Sequence, residues 1–502
     1  MRAWFAGDFE GCLALCDRVR PADVDMVSQV ALLRARALLR IGRPDEAIAV
    51  VRNVFIAHGT LDASLTARML LGTAYVRRGD DARGLELLEA AYGASERAHP
   101  TIRSEIALNI GLAHYGLRNH DEADRVLELV SPNADIIHAR SLEYRGWVAI
   151  ARSEYVVASK HFEAALHRLD QCRQYDRFLE AHAVQALAIL AAERLDRTSW
   201  LLVEDRARRI EWSAPGLAAP WWGVAISASM MEEVNGRISE ALQWAREAED
   251  VAVNEALRLF ATCRRAAVLR TVGERFAHRD LVARIRAEVQ RLDVTRLENE
   301  ERRLMLSLAI ETASVGDVLG ARALLKQYDD FPPGSSMLSL TGDPRELGAR
   351  HFAEAVVADA GTEHALAHDR YREAFQIFNR IGYERRALLA ALRLGELTGQ
   401  TYLFEYVDRT LRKLSSRSPL LERARRHNPA HTDPVVANLS RTERAVLELL
   451  CDGKSTLEIA AARGRSKQTI RNTISRILTA FEVSDRPALL RECMRRGIYA
   501  AS

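Results

Sequence analysis

The sequence predicts an all-α chain, a superhelical solenoid of helical hairpins that ends in a small C-terminal four-helix domain. Three observations predict it. Residues 1–414 repeat one spacing of small and large side chains at steps of about 35 to 46 residues, which is how stacked helical hairpins appear in a sequence. Near the C-terminus two short helical patterns are separated by the single Gly464, the spacing of a helix-turn-helix. Residues 439–502 hold twelve Lys and Arg against seven Asp and Glu, whereas the whole chain balances at +3.

At 502 residues the chain is too long for one compact core and suits several domains or an elongated array. Its opening, MRAWFAGDFEGCLALC, lacks the basic head, apolar block and small-residue cleavage site of a signal peptide. No run of eighteen apolar residues occurs, so no membrane span is expected, and the six scattered cysteines read as free cytoplasmic thiols. Cys12 and Cys16 share a helix face, but no further Cys or His in that segment completes a metal set.

The repeat is clearest in three segments, LLGTAYVRRGDDARGLELLEAAY from Leu70, NIGLAHYGLRNHDEADRVLELV from Asn109 and YRGWVAIARSEYVVASKHFEAAL from Tyr144. Each has a glycine on its first helix, at Gly72, Gly111 and Gly146, and a small residue twelve positions later, at Gly84, Ala123 and Ala158. A large apolar residue follows four further on, at Leu88, Leu127 and Phe162. Small residues let two helices approach, and the large one fills the space above them. Earlier copies centre on Gly11 and Ala47, and later ones on Ser199, Ala241, Leu281, Ala321, Ala367 and Leu403, giving about eleven hairpins. The first copy lacks an opening helix. Such units resemble tetratricopeptide repeats, and that resemblance implies a right-handed superhelix with a concave groove for peptides, proteins or small ligands.

Two breaks punctuate the array, WSAPGLAAP at 212–220 and a longer one at 328–344 containing FPPGSS and TGDP. Two other clusters read as structural and not as ligand sites, the histidines as exposed or capping residues of a repeat helix and the tryptophans as core packing between repeats. His364 and His368 lie one turn apart near His351 and Asp369, and Trp200, Trp212, Trp221, Trp222 and Trp244 are close in sequence. No nucleophile, paired-carboxylate or metal constellation stands out, so the chain reads as no enzyme, with no cofactor and no metal. Residues 415–438, rich in Pro, Arg and small polar residues, read as a linker to the terminal domain at 439–502. Gly453-Lys454-Ser455 imitates the end of a phosphate-binding loop, but Glu448 stands where that motif needs its first glycine.

Within the terminal domain the spacing predicts a helix from Ser466, its N-cap, to Phe481. At ~100° per residue, Ile470, Ile474, Ile477 and Phe481 fall on one arc with Leu478 beside it. Gln468, Arg471, Asn472, Ser475 and Thr479 cluster opposite, a donor-rich strip able to meet base edges and phosphates. The first-turn amides after Ser466 suit a phosphate. Gly464 falls where the turn needs positive φ, and Ala460 where two helices cross closely. The surplus of positive charge is local to this domain, as a polyanion-binding module requires.

These residues resemble the LuxR/FixJ-type bacterial transcription regulators over about fifty positions. The match runs through Leu439-Ser440, Glu443-Arg444, Val446-Leu447, Gly453, Ser455, Glu458-Ile459-Ala460, Gly464, Ser466, Thr469-Ile470, Asn472, Ile474-Ser475, Ile477-Leu478, Val483 and Arg486. The resemblance implies that Arg471, Asn472 and Ser475 face bases while Lys467, Thr469 and Arg476 hold phosphates. It also implies that the helix after Asp485 pairs two copies across a dyad. Arg463 and Arg465 depart from the family's apolar residues at the turn, and Thr473 stands where a His is common. Some large regulators of this type carry an ATPase ahead of their helical repeats, and no such motif occurs here. The expectation is a cytoplasmic, dimeric regulator of promoter DNA, acting as an activator with RNA polymerase and governed by a signal at its repeats. The alternative is an interaction scaffold or antagonist that sequesters another regulator.

Overall fold

A computed structural model describes residues 8–19, 24–56, 60–214, 216–293, 297, 299–330, 343–412, 414, 417–427, 433–451 and 453–496. All regular elements among them are helices. A lone helix α1 (Phe9–Arg18) is followed by the pairs α2/α3 (Val24–Arg40, Pro44–Ile56), α4/α5 (Leu61–Arg78, Asp81–Gly93) and α6/α7 (Pro100–Gly116, His120–Glu128). Next come α8/α9 (Ile136–Ala151, Tyr155–Gln171), α10/α11 (Arg177–Arg194, Arg197–Ala207), α12/α13 (Ala218–Val234, Ile238–Asp250) and α14/α15 (Glu255–Val272, Arg275–Val289). The last pairs are α16/α17 (Asn299–Ser314, Val318–Asp330), α18/α19 (Pro344–Ala360, His364–Arg380) and α20/α21 (Glu384–Thr398, Thr401–Arg412). The chain divides into two compact units, Met1–Ala387 and Leu388–Ser502.

The predicted small-and-large spacing is what seats each hairpin. A methyl group placed on Gly72 would lie 2.8 Å from both the Gly84 carbonyl and Leu88 Cγ; on Gly111, 2.6 Å from Leu127 Cγ; on Gly146, 2.7 Å from the Phe162 ring. Those glycines therefore set how closely two helices can lie. The predicted centres Ala47, Ser199, Ala241, Leu281, Ala321, Ala367 and Leu403 are all buried, each on the second helix of its pair. First helices of successive units also lie side by side from α2 to α18, so each hairpin is covered by its neighbours, as in a tetratricopeptide-like solenoid.

One backbone feature recurs. Every turn within a pair has a residue in the left-handed region: Gly42, Gly79, Gly236, Gly273, Gly316 and Gly399, but also Arg118, Ser153, Leu195 and Thr362. The turn geometry is therefore constant while its residue is not. The array also meets itself across a long sequence separation inside the first unit. Glu193 on α10 accepts hydrogen bonds from Arg385 Nη2 (3.0 Å) and Arg386 Nε (2.8 Å), and Tyr155 packs on Tyr383 with ring centroids 4.6 Å apart.

The two predicted breaks fall only partly between helices, since 218–220 already open α12 and 328–330 close α17. Residues 208–217 separate α11 from α12, and most of the 328–344 break lies outside the described residues. The tryptophans are structural: Trp222 is buried edge-on to Phe260, Trp200 donates to Glu204, and Trp221 stacks on Trp212 and meets Trp244 edge-on. Within the stretch expected as a linker, Pro419–His427 forms helix α22. Its Leu420, Leu421 and Ala424 are buried, an apolar stripe outweighed in the sequence by the surrounding Pro and Arg residues. Among the described residues no helix is long and apolar enough to cross a membrane.

Candidate nucleic-acid interface

Among the described residues, five helices build the terminal domain: the single turn α23 (Pro434–Ala437), α24 (Arg441–Cys451), α25 (Thr456–Arg463), α26 (Lys467–Ala480) and α27 (Arg486–Arg495). Their core is small and complete. Leu439, Val446, Leu447, Leu450, Ile459, Ala460, Ile470, Ile477, Phe481, Leu489 and Cys493 are buried together, with Val435 and Val436 packed against them from within the expected linker. Arg496 ties α27 to the entry of the domain through Asp433 (3.3 Å), and the Arg486 guanidinium donates to the Lys454 carbonyl behind α24.

Local chemistry defines both ends of the helix-turn-helix. Ser455 and Glu458 form a reciprocal cap on α25, Glu458 N–H to Ser455 Oγ at 3.3 Å and Ser455 N–H to Glu458 Oε2 at 2.7 Å. Those bonds hold the Glu458 carboxyl below its usual range. Gly464 ends α25 at φ +57°, its predicted left-handed conformation, and the next amide, of Arg465, returns to the Ala460 carbonyl at 3.0 Å. Ser466 then caps α26 by accepting the Thr469 amide at 3.1 Å. The turn thus spans only the three residues Gly464, Arg465 and Ser466, two of them fixed as helix caps.

On α26 the two predicted faces separate. Ile470, Ile477 and Phe481 are buried, and Ile474 and Leu478 lie half-buried behind them. Lys467, Gln468, Thr469, Arg471, Asn472, Ser475, Arg476 and Thr479 are all exposed. Gln468 Nε2 donates to Asn472 Oδ1 at 3.1 Å, which pre-aligns two amides one turn apart. Thr473, polar in sequence, is 1% exposed: its hydroxyl donates to the Thr469 carbonyl at 3.0 Å, so it enters the core without an unmet donor. That self-satisfied bond is why a threonine fits there, and a period of apolar residues alone does not reveal it.

The charges around the strip are unequal. Arg476 Nε lies 3.4 Å from Glu443 Oε1 on α24; the guanidinium is exposed while the carboxylate is half-buried, and such a one-sided solvated pair is worth about 1 kcal/mol, so a phosphate can compete for Arg476. Arg463, Arg465, Lys467 and Arg471 have no ion-pair partner among the described residues, and all are exposed. Four uncompensated cations therefore line the turn and the first two turns of α26. The arginines at 463 and 465, which depart from the family pattern, extend the positive strip outward.

Residues 437–493 match the family model described as bacterial regulatory proteins, luxR family. No curated protein matches the chain. Among solved structures the chain is similar to an IFIT1 monomeric mutant with Gppp-AAAA, at 13% identity over 85% of this chain and 94% of that one, TM-score 0.40. It is also similar to Rap protein complexed with competence and sporulation factor, at 14% identity over 76% of this chain and 99% of that one, TM-score 0.36. A LuxR-type helix-turn-helix implies DNA-binding transcription regulation.

Proposed function

With a LuxR-type domain at 437–493 behind a tetratricopeptide-like array, we propose that the protein is a sequence-specific transcription regulator whose repeats receive the signal. In this reading it acts in the cytoplasm as a homodimeric activator that contacts RNA polymerase. The domains run 1–414 for the repeats, 415–438 for the connection and 439–502 for DNA binding. The observation that carries it is the α26 strip, in which every side chain assigned to DNA is exposed while its apolar back is buried. Arg471, Asn472, Ser475 and Gln468 face base edges, and Lys467, Thr469 and Arg476 hold the backbone. Signal occupancy changes the population of DNA-competent states without chemistry on the ligand.

Selection of bound genomic fragments followed by footprinting tests this. Arg471→Ala should weaken the selected site by ~1 to 3 kcal/mol, roughly 5- to 150-fold, while leaving the thermal midpoint unchanged because Arg471 has no partner among the described residues. Wild-type binding that shows no preference among fragments, or an Arg471→Ala variant with an unaltered footprint and affinity, would refute the assignment.

A further inference from the structure

We propose that Cys451 and Cys493, on the core-facing stripes of α24 and α27, are a redox-sensitive pair that closes to a disulfide when a hydroperoxide reaches the terminal domain. The inference goes beyond the DNA-binding reading and stands whether or not that reading holds. Cys451 is the last residue of α24, and α24 packs on α27. Leu447 lies one turn before Cys451 and Leu489 one turn before Cys493. Leu447, Leu489 and Cys493 are buried in one core, and Cys451 packs against it. Arg486, at the start of α27, donates to the Leu450 carbonyl at 3.5 Å, beside Cys451 in the chain. Both cysteines are reduced, and their thiols share a hydrogen bond.

The two sulfurs are not equivalent. Cys493 is 1% exposed and Cys451 half-buried, so a small oxidant arriving from solvent meets Cys451 first. The hydrogen bond from Cys451, with Arg496 close by, holds the Cys493 thiol below its usual range despite burial. A sulfur with thiolate character beside a second thiol is what resolves an oxidised cysteine into a disulfide. Burial instead raises Cys16, Cys263 and Cys172, the last to about 11. Cys12 and Cys16 also share a hydrogen bond on α1. Residues one turn apart on a helix keep their Cβ atoms about 5–6 Å apart, whereas a disulfide spans ~3.5–4.5 Å. Cys451 and Cys493 escape that constraint, because they come from two helices that can shift against each other.

The chemistry balances with the hydroperoxide as oxidant. Its O–O bond breaks as an S–O bond forms on Cys451, giving a sulfenic acid and releasing water or an alcohol. Cys493 gives its proton to solvent and its sulfur attacks that of Cys451; the S–S bond forms, the S–O bond breaks, and hydroxide leaves to become water. Two thiols lose two electrons and two protons, and the peroxide gains them. The bond closes a loop that contains all of α25 and α26 and ties α27 covalently to α24, so local opening of α27 is suppressed.

The test exposes the full-length protein to hydrogen peroxide, blocks remaining thiols with N-ethylmaleimide and maps the unreduced digest by mass spectrometry. Expected is a Cys451–Cys493 cross-link lacking two hydrogens and reversed by dithiothreitol. Amide hydrogen exchange in α27 should slow roughly tenfold or more in the oxidised protein. Cys493→Ser should give no cross-link and should leave a sulfenic acid on Cys451 that dimedone traps. Should that variant not fold, Cys451→Ser, at the half-buried position, must likewise abolish both the cross-link and the slowed exchange. Wild type in which both cysteines stay alkylatable while the other thiols react, or in which Cys451 passes to a sulfinic acid without cross-linking, would overturn the pair. A cross-link that leaves α27 exchange unchanged would overturn the clamping of that helix.

Discussion

Replacing Glu193 with alanine should loosen the first unit, because it removes a buried counter-charge shared by two arginines. The carboxylate is 3% exposed, and one of its oxygens, Oε1, accepts from both Arg385 and Arg386, at 3.0 and 2.8 Å, across 192 and 193 residues of sequence. Truncation leaves Arg385, itself 7% exposed, facing Arg386 with no counter-charge. Breaking a buried pair in this way costs about 3–5 kcal/mol, at the lower end here because Arg386 is a quarter exposed. Linkage gives a similar size. The two guanidiniums hold Glu193 down at about 2 against an ordinary 4.5, a difference equivalent to ~3 kcal/mol. The sign follows from the depressed value: the contribution is complete above pH 4.5 and fades as pH falls toward 2. All seven tryptophans lie before residue 245, so tryptophan fluorescence in urea reports the repeats alone. Glu193→Ala should lower the extrapolated stability by ~3 kcal/mol at pH 7, and the gap from wild type should shrink to less than half by pH 3. A gap under about 1 kcal/mol at pH 7, or one that ignores pH, would refute the claim that this pair braces the array.

Two further outcomes follow from the hairpins. Thr362 occupies its turn at φ +62° with an exposed, β-branched side chain, so Thr362→Gly should raise stability by about 1 kcal/mol, read as a higher urea midpoint; a lower midpoint would mean the turn is not strained. Gly111→Ala should destabilise by ~1 to 3 kcal/mol despite the better helix former, because the added methyl meets Leu127 Cγ at 2.6 Å. Adding Leu127→Ala should cost less in that background than in wild type. Strict additivity of the two in a double-mutant cycle would show that the glycine does not set the helix spacing.

The architecture was legible because the same local problem is solved many times. Gly72, Gly111 and Gly146 and their partners twelve and sixteen positions on mark where helices must touch, and the contact distances show it. The turns were less legible, since Arg118, Ser153, Leu195 and Thr362 adopt glycine-like backbones that the solenoid imposes against their own preference. The α26 strip was readable as an angular separation of types, and Thr473 escaped only because its hydroxyl is satisfied by its own helix. The ion pair between Arg476 and Glu443 could not be read, because it joins two helices whose crossing no periodicity encodes. Long-range pairs such as Glu193 with Arg385 and Arg386 are invisible for the same reason. They depend on the accumulated curvature of some five repeats, and no local pattern carries a sum of that kind.

The acidic side chains of the terminal domain explain how its positive strip survives folding. Glu443 caps the start of α24 through Ser440 and meets only Arg476 from α26, Glu458 caps α25, and Asp485 accepts the Ala488 amide at the start of α27. Glu492 holds Arg495 and, with Asp433, Arg496 just past the end of α27. Each of these carboxylates is fixed at a helix start or on α27, and apart from Arg476 none is placed to reach the cations of the turn and α26. Net charge therefore does not spread over the domain surface. It concentrates on Arg463, Arg465, Lys467 and Arg471, where a polyanion gains the most attraction and sheds the most counterions. In the repeat array the buried arginines meet carboxylates instead, Arg206 with Glu180, Arg264 with Glu233 and Arg385 with Glu193.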